Sequence, residues 1–86
     1  MNWRLEWTHQ AVKDVRGLDR LVRERIVRAM EHLAQTEQGD VTSLKKPLRG
    51  YRLRVGDWRV SFERNVSAGV IIVRRLRHRS EAYRKS

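Results

Sequence analysis

The stretch Tyr51-Arg52-Leu53-Arg54-Val55-Gly56-Asp57-Trp58-Arg59-Val60-Ser61-Phe62 constrains the fold of this 86-residue chain more than any other part of it. Apolar and polar side chains alternate on both sides of Gly56-Asp57. A period of two marks a strand with one buried face, and a Gly-Asp pair between two such runs marks a tight hairpin turn. Tyr51, Leu53, Val55, Trp58, Val60 and Phe62 therefore share one face, while Arg52, Arg54 and Arg59 share the other. Such a hairpin needs an apolar cover on one side only.

Helices upstream can supply that cover. Trp3, Leu5 and Trp7 alternate with Arg4, Glu6 and Thr8, which predicts a first half-buried strand. Thr8 can cap a short helix carrying Ala11, Val12 and Val15, closed by Gly17. Asp19 is an N-cap for a longer helix to about Thr36, with Val22, Ile26, Ala29, Met30 and Leu33 in one stripe. The two helices, joined at Gly17-Leu18, read as a hairpin. Glu37 to Pro47 is polar and reads as a loop. Beyond the hairpin, Asn65 to Gly69 is a turn. Val70 to Leu76 is a third strand of this half, apolar on both faces at first and so central in the sheet. Arg77 to Ser86 is a basic tail. The predicted architecture is α+β in the order β-α-α-β-β-β. It is one domain over residues 1–86, a largely antiparallel sheet with a two-helix hairpin packed on one face.

Composition narrows the function classes. With no cysteine, disulfides and thiolate metal sites are excluded, and three histidines do not make a structural zinc site. No metal or cofactor is expected. No apolar run approaches the ~18 residues of a membrane span, and the N-terminus reads as a strand rather than a signal peptide, so the expected location is cytoplasmic. Lys and Arg total 20 against ten acids, and 16 of the 20 are Arg. The surplus is local: residues 1–44 carry seven bases and seven acids, whereas residues 45–86 carry 13 bases and three acids. A half this basic implies a polyanionic partner, and Arg favours bidentate contact with phosphate. Three guanidinium groups on two adjacent strands repel one another, and a bound anion would offset that cost.

The segment from Lys46-Pro47-Leu48-Arg49-Gly50-Tyr51 through Trp58-Arg59-Val60, with the ending His78-Arg79-Ser80-Glu81-Ala82-Tyr83, resembles the RelE/ParE toxin superfamily. The predicted element order is similar too. The resemblance implies a RelE-like toxin fold and a type II toxin–antitoxin toxin. RelE-like members are ribosome-dependent mRNA endoribonucleases acting in the A site. ParE-like members poison DNA gyrase without being enzymes. Both are neutralised by a cognate antitoxin. Carried over by position, the resemblance implies catalytic roles for Arg52, Arg54, Arg59, Arg79 and Tyr83, with His78 beside them. It implies RNA-backbone contacts for Lys45, Lys46, Arg49 and Arg77. The pair Arg79 and Tyr83 favours the nuclease branch over the gyrase branch. A non-catalytic RNA-binding module is the third reading.

RNA cleavage by the 2′-hydroxyl needs a base, an acid and positive charge on the transition state. Arg59 and Arg79 suit the charge role. Where several RelE-like enzymes carry Lys, this chain has Arg52 and Arg54, and arginine does not give up its proton in a protein. The titratable candidates are His78, Tyr83, Lys45, Lys46, Glu63 and Glu81. His9 and His32 fall on the helices, away from this face.

Overall fold

The computed structural model of the protein describes residues 2–44 and 50–82. Strand β1 (Arg4–Trp7) is followed by helices α1 (His9–Arg16) and α2 (Arg20–Thr36). Then come β2 (Val41–Ser43), β3 (Tyr51–Val55), β4 (Trp58–Asn65), β5 (Val70–His78) and the one-turn helix α3 (Arg79–Ala82). The strands form one sheet in the order β1-β5-β4-β3-β2. Neighbours are antiparallel except β1 and β5, which run parallel.

The hairpin forms as its alternation requires. Val55 pairs with Trp58 across Gly56-Asp57, and of the two turn residues only Gly56 has positive φ, at +59°. A glycine at the first central position is the signature of a type II′ turn, whose twist suits the strands it joins. The apolar face of the sheet (Leu53, Val55, Val60, Phe62, Ile71, Val73 and Leu76) merges with Ala11 and Val15 of α1 and with Ile26, Met30, Leu33 and Ala34 of α2. Full burial of a Leu, Ile or Met side chain contributes about 1.5–3 kcal/mol. The α2 stripe thus holds that helix on the sheet. Trp3 is buried in the same core, with Trp7 and Trp58 at its margin.

Three expectations need correction. Within the expected loop, Val41–Ser43 forms a strand on the outer edge of β3. The last strand runs past the expected end at Leu76 to His78, and the expected basic tail continues as a helical turn from Arg79 to Ala82. The order is therefore β-α-α-β-β-β-β-α. The two long helices also make their main contacts with the sheet rather than with each other, α1 along β5 and α2 over β1 and β3.

The seam between α1 and β5 is polar. β1 accompanies β5 only as far as Val73. Beyond that point α1 meets the strand. The Thr8 hydroxyl accepts from the Ala11 N–H at 3.1 Å, capping the helix, and donates to the Arg74 carbonyl at 3.0 Å. One oxygen of Asp14 accepts from the Leu76 N–H at 2.9 Å and from Arg75 Nε at 3.0 Å, and its other oxygen accepts from Gln10 at 3.0 Å. Burial pushes the Asp14 carboxyl up. The hydrogen bonds from Leu76, Gln10 and Arg75, with the Arg75 charge, outweigh this and leave it below its usual value.

Candidate functional site

The sheet register lines up the arginines. Arg54 on β3 stands opposite Arg59 on β4, and Arg59 stands opposite Arg77 on β5. One row of three cations thus crosses three strands on the face away from the helices. The adjacent row is Arg52, Ser61 and Arg75. Like charges directly opposite one another destabilise a sheet, and the side chains show how the strain is relieved. Arg54 lies 3.6 Å from the Asp40 carboxylate, and Arg74 lies 3.2 Å from Glu63. Arg75 turns to Asp14. Arg59 is only 8 % exposed, and its Nη1 donates to the carbonyls of Gly56 at 2.9 Å and Trp58 at 3.0 Å. Arg52 is half-buried and Arg77 exposed. The predicted face is real in the backbone. The expected trio of open, mutually repelling guanidinium groups is not, because Arg54 has an acid beside it and Arg59 is folded onto its own turn.

The C-terminal arm arrives at that same turn. The Arg79 N–H donates to the Asp57 carbonyl at 2.7 Å, and its guanidinium lies 3.7 Å from the Asp57 carboxylate. His78 pairs with Trp58 in the register, on the core side of the sheet and not in the arginine row. Its ring meets Trp58 edge-on, with centroids 5.2 Å apart. His78 Nδ1 accepts from the Ser80 N–H at 3.3 Å and lies 3.1 Å from the Ser80 hydroxyl. An Nδ1 that accepts carries no proton, so the neutral ring has its N–H on Nε2.

The structure thus brings Arg54, Arg59 and Arg77 into one row and Arg79 to its end, and leaves His78 on the opposite face of the sheet. Glu63 is engaged by Arg74, Glu81 is exposed, and His9 and His32 are exposed on the helices. Tyr83, Lys45, Lys46 and Arg49 lie outside the described residues. Sequence reasoning missed Asp57 and Asp40 as partners of Arg79 and Arg54. The turn position of Asp57, next to the arginine strands, was a usable signal, whereas nothing local linked Asp40 to β3.

The site is thus one face of a five-stranded sheet, closed by a parallel first strand, backed by two helices and carrying a row of arginines. The family model described as the ParE toxin of type II toxin–antitoxin systems matches residues 5–83. The chain belongs to that family, within the RelE/ParE toxin superfamily. Among solved structures, it is similar to the RelBE2 toxin–antitoxin complex of Mycobacterium tuberculosis, with TM-score 0.81 and 20% identity over 92% of this chain and 100% of that one. The archaeal RelE–RelB complex of Pyrococcus horikoshii is similar at TM-score 0.74 and 28% identity, over 92% and 97%. The RelB–RelE antitoxin–toxin complex of Methanococcus jannaschii has TM-score 0.72 and 28% identity, over 91% and 94%. No curated protein matches the chain significantly.

Proposed function

We propose that this toxin is a ribosome-dependent mRNA endoribonuclease, neutralised by a cognate antitoxin. The observation that carries the reading is the row Arg54, Arg59 and Arg77, with Arg79 brought to its end by the β3–β4 turn. A phosphodiester lying across that row would meet several guanidinium groups, and positive charge is what a pentacoordinate phosphorus most needs. The 2′-oxygen attacks phosphorus while its proton passes to a base. The bond to the 5′-oxygen breaks, and that oxygen takes up a proton. The arginines cannot serve as the base. His78 stands on the opposite face of the sheet from this row, so water supplies the proton to the leaving oxygen in this reading. Arg59, pinned by two carbonyls, offers a fixed cation that needs little reorganisation.

The antitoxin partner is supported by the similarity to toxins seen in complex with RelB and by the net charge of +10. Such a basic surface suits an acidic, extended segment. A gyrase-directed activity is the second reading, favoured by the ParE family match.

The test is 5′-end mapping of a defined mRNA in a purified translation system, with and without ribosomes. The wild type should cut within A-site codons only when ribosomes are present. Arg59→Ala should lower the single-turnover rate by about 10²-fold or more, the usual loss on removing one transition-state donor. Intact mRNA together with inhibited gyrase supercoiling would replace the nuclease reading with the second one.

A further inference from the structure

Two arginines of the candidate site are gathered at one point. Arg59 is held by the carbonyls of Gly56 and Trp58, and Arg79 by the carbonyl and carboxylate of the residue between them, Asp57. The turn itself does not demand an aspartate. Only Gly56 has positive φ, and the second position of a type II′ turn accepts an ordinary residue. The carboxylate is thus surplus to the hairpin, and its partner is a residue of α3. It is one of only three acids among residues 45–86, and Glu63 is engaged by Arg74. The Arg79 N–H belongs to the first residue of α3 and would be an orphan without the Asp57 carbonyl.

We propose that Asp57 is a positioning residue: it ties the C-terminal arm to the turn that holds Arg59, and so fixes Arg79 relative to the arginine row. It touches no reacting atom and acts through Arg79. Its importance for turnover rests on the nuclease reading above, whereas its hold on the arm does not. The contact is exposed on both sides, with side chains 66 % and 63 % accessible. The tie is therefore adjustable, and an exposed pair of this kind shifts a docking equilibrium by at most about fivefold.

The test compares wild type with Asp57→Asn and Asp57→Glu. Asparagine keeps the size and the backbone carbonyl but removes the charge, and glutamate restores it. Amide exchange at Arg79 and the heteronuclear NOE across residues 79–82 report the arm directly. Exchange at Arg79 should speed up about threefold to fivefold in Asp57→Asn. Glutamate should restore most of the protection. The difference between wild type and the asparagine variant should shrink in 0.5 M KCl, because exposed charges are screened. In the translation assay, kcat should fall about threefold to fivefold in Asp57→Asn with KM unchanged, and glutamate should recover it. Unchanged Arg79 exchange in Asp57→Asn overturns the proposal whatever the activity. Equal loss in both variants with a lowered melting temperature also overturns it, since that is a folding defect. A wild type that does not cleave mRNA overturns the nuclease reading, and the exchange data then still decide whether Asp57 holds the arm.

Discussion

Two aspartates each meet an arginine from the C-terminal third of the chain, in opposite circumstances. Asp14 sits in the seam between α1 and β5, with its side chain 14 % exposed and three donors on its two oxygens. Asp57 sits on the β3–β4 turn, mostly exposed, with its carboxylate 3.7 Å from one guanidinium nitrogen. The same residue pair does different work in the two places. In the seam, removing the carboxylate strands the N–H of the buried Leu76, while the partly exposed Arg75 can turn to water, so the cost is mainly that of one unmet backbone donor. At the turn, water replaces whatever is removed, and only position is lost. The first contact holds the fold and the second tunes the site.

The comparison makes graded predictions. The largest effect belongs to Asp14→Ala, which should cost about 2–3 kcal/mol in urea unfolding and lower Tm by about 10–20 °C for a domain of this size. The next concerns acid. The Asp14 carboxyl is held below its usual value of 3.8 in the folded state. The stability it confers is therefore complete above the unfolded value and is lost as pH falls through the folded one. Wild type should exceed Asp14→Asn in urea midpoint at pH 7, and the two should converge as the pH drops well below 3.8. A gap that stays constant down to the lowest pH would show that the carboxylate charge is not what locks the seam. The smallest effect is expected from Asp57→Asn, whose unfolding free energy should stay within about 0.5 kcal/mol of wild type. A loss there as large as that of Asp14→Ala would erase the distinction between the two contacts.

The parts of the fold written in side-chain period were legible in the sequence. The β3–β4 hairpin, the capped α1, the stripe of α2 and the apolar start of β5 each announced themselves through spacing. β2 did not, because Val41, Thr42 and Ser43 are all exposed. That strand exists through backbone pairing with β3 and leaves no pattern of burial to read. The site was legible in the same measure. Alternation placed Arg52, Arg54 and Arg59 on the correct face but could not say where guanidinium groups at the ends of long side chains would settle. Those destinations are Asp40, remote in sequence, and the carbonyls of a turn, neither of which has a periodic signature. The position of His78 depended on an irregularity: the β4–β5 register shifts between Ser61 and Phe62. A single skipped residue changes which side chains stand together on one face. From residue types alone, His78 and Arg77 could not be told apart as neighbours of Arg59.

The parallel pairing of β1 with β5 joins residues 66 positions apart, Arg4 with Val70. Closing such a loop costs chain entropy before any contact repays it, so the ladder is a late event in folding. During synthesis the first strand emerges long before its partner. Until residues 70–78 follow, β1 has no strand to pair with, α1 lacks the edge it docks on, and Asp14 lacks both Arg75 and the Leu76 N–H. The arginine row is incomplete for the same interval, since Arg77 belongs to β5. A nascent chain of this toxin therefore passes most of its time on the translating ribosome without its assembled cationic face, and the delay is built into strand order.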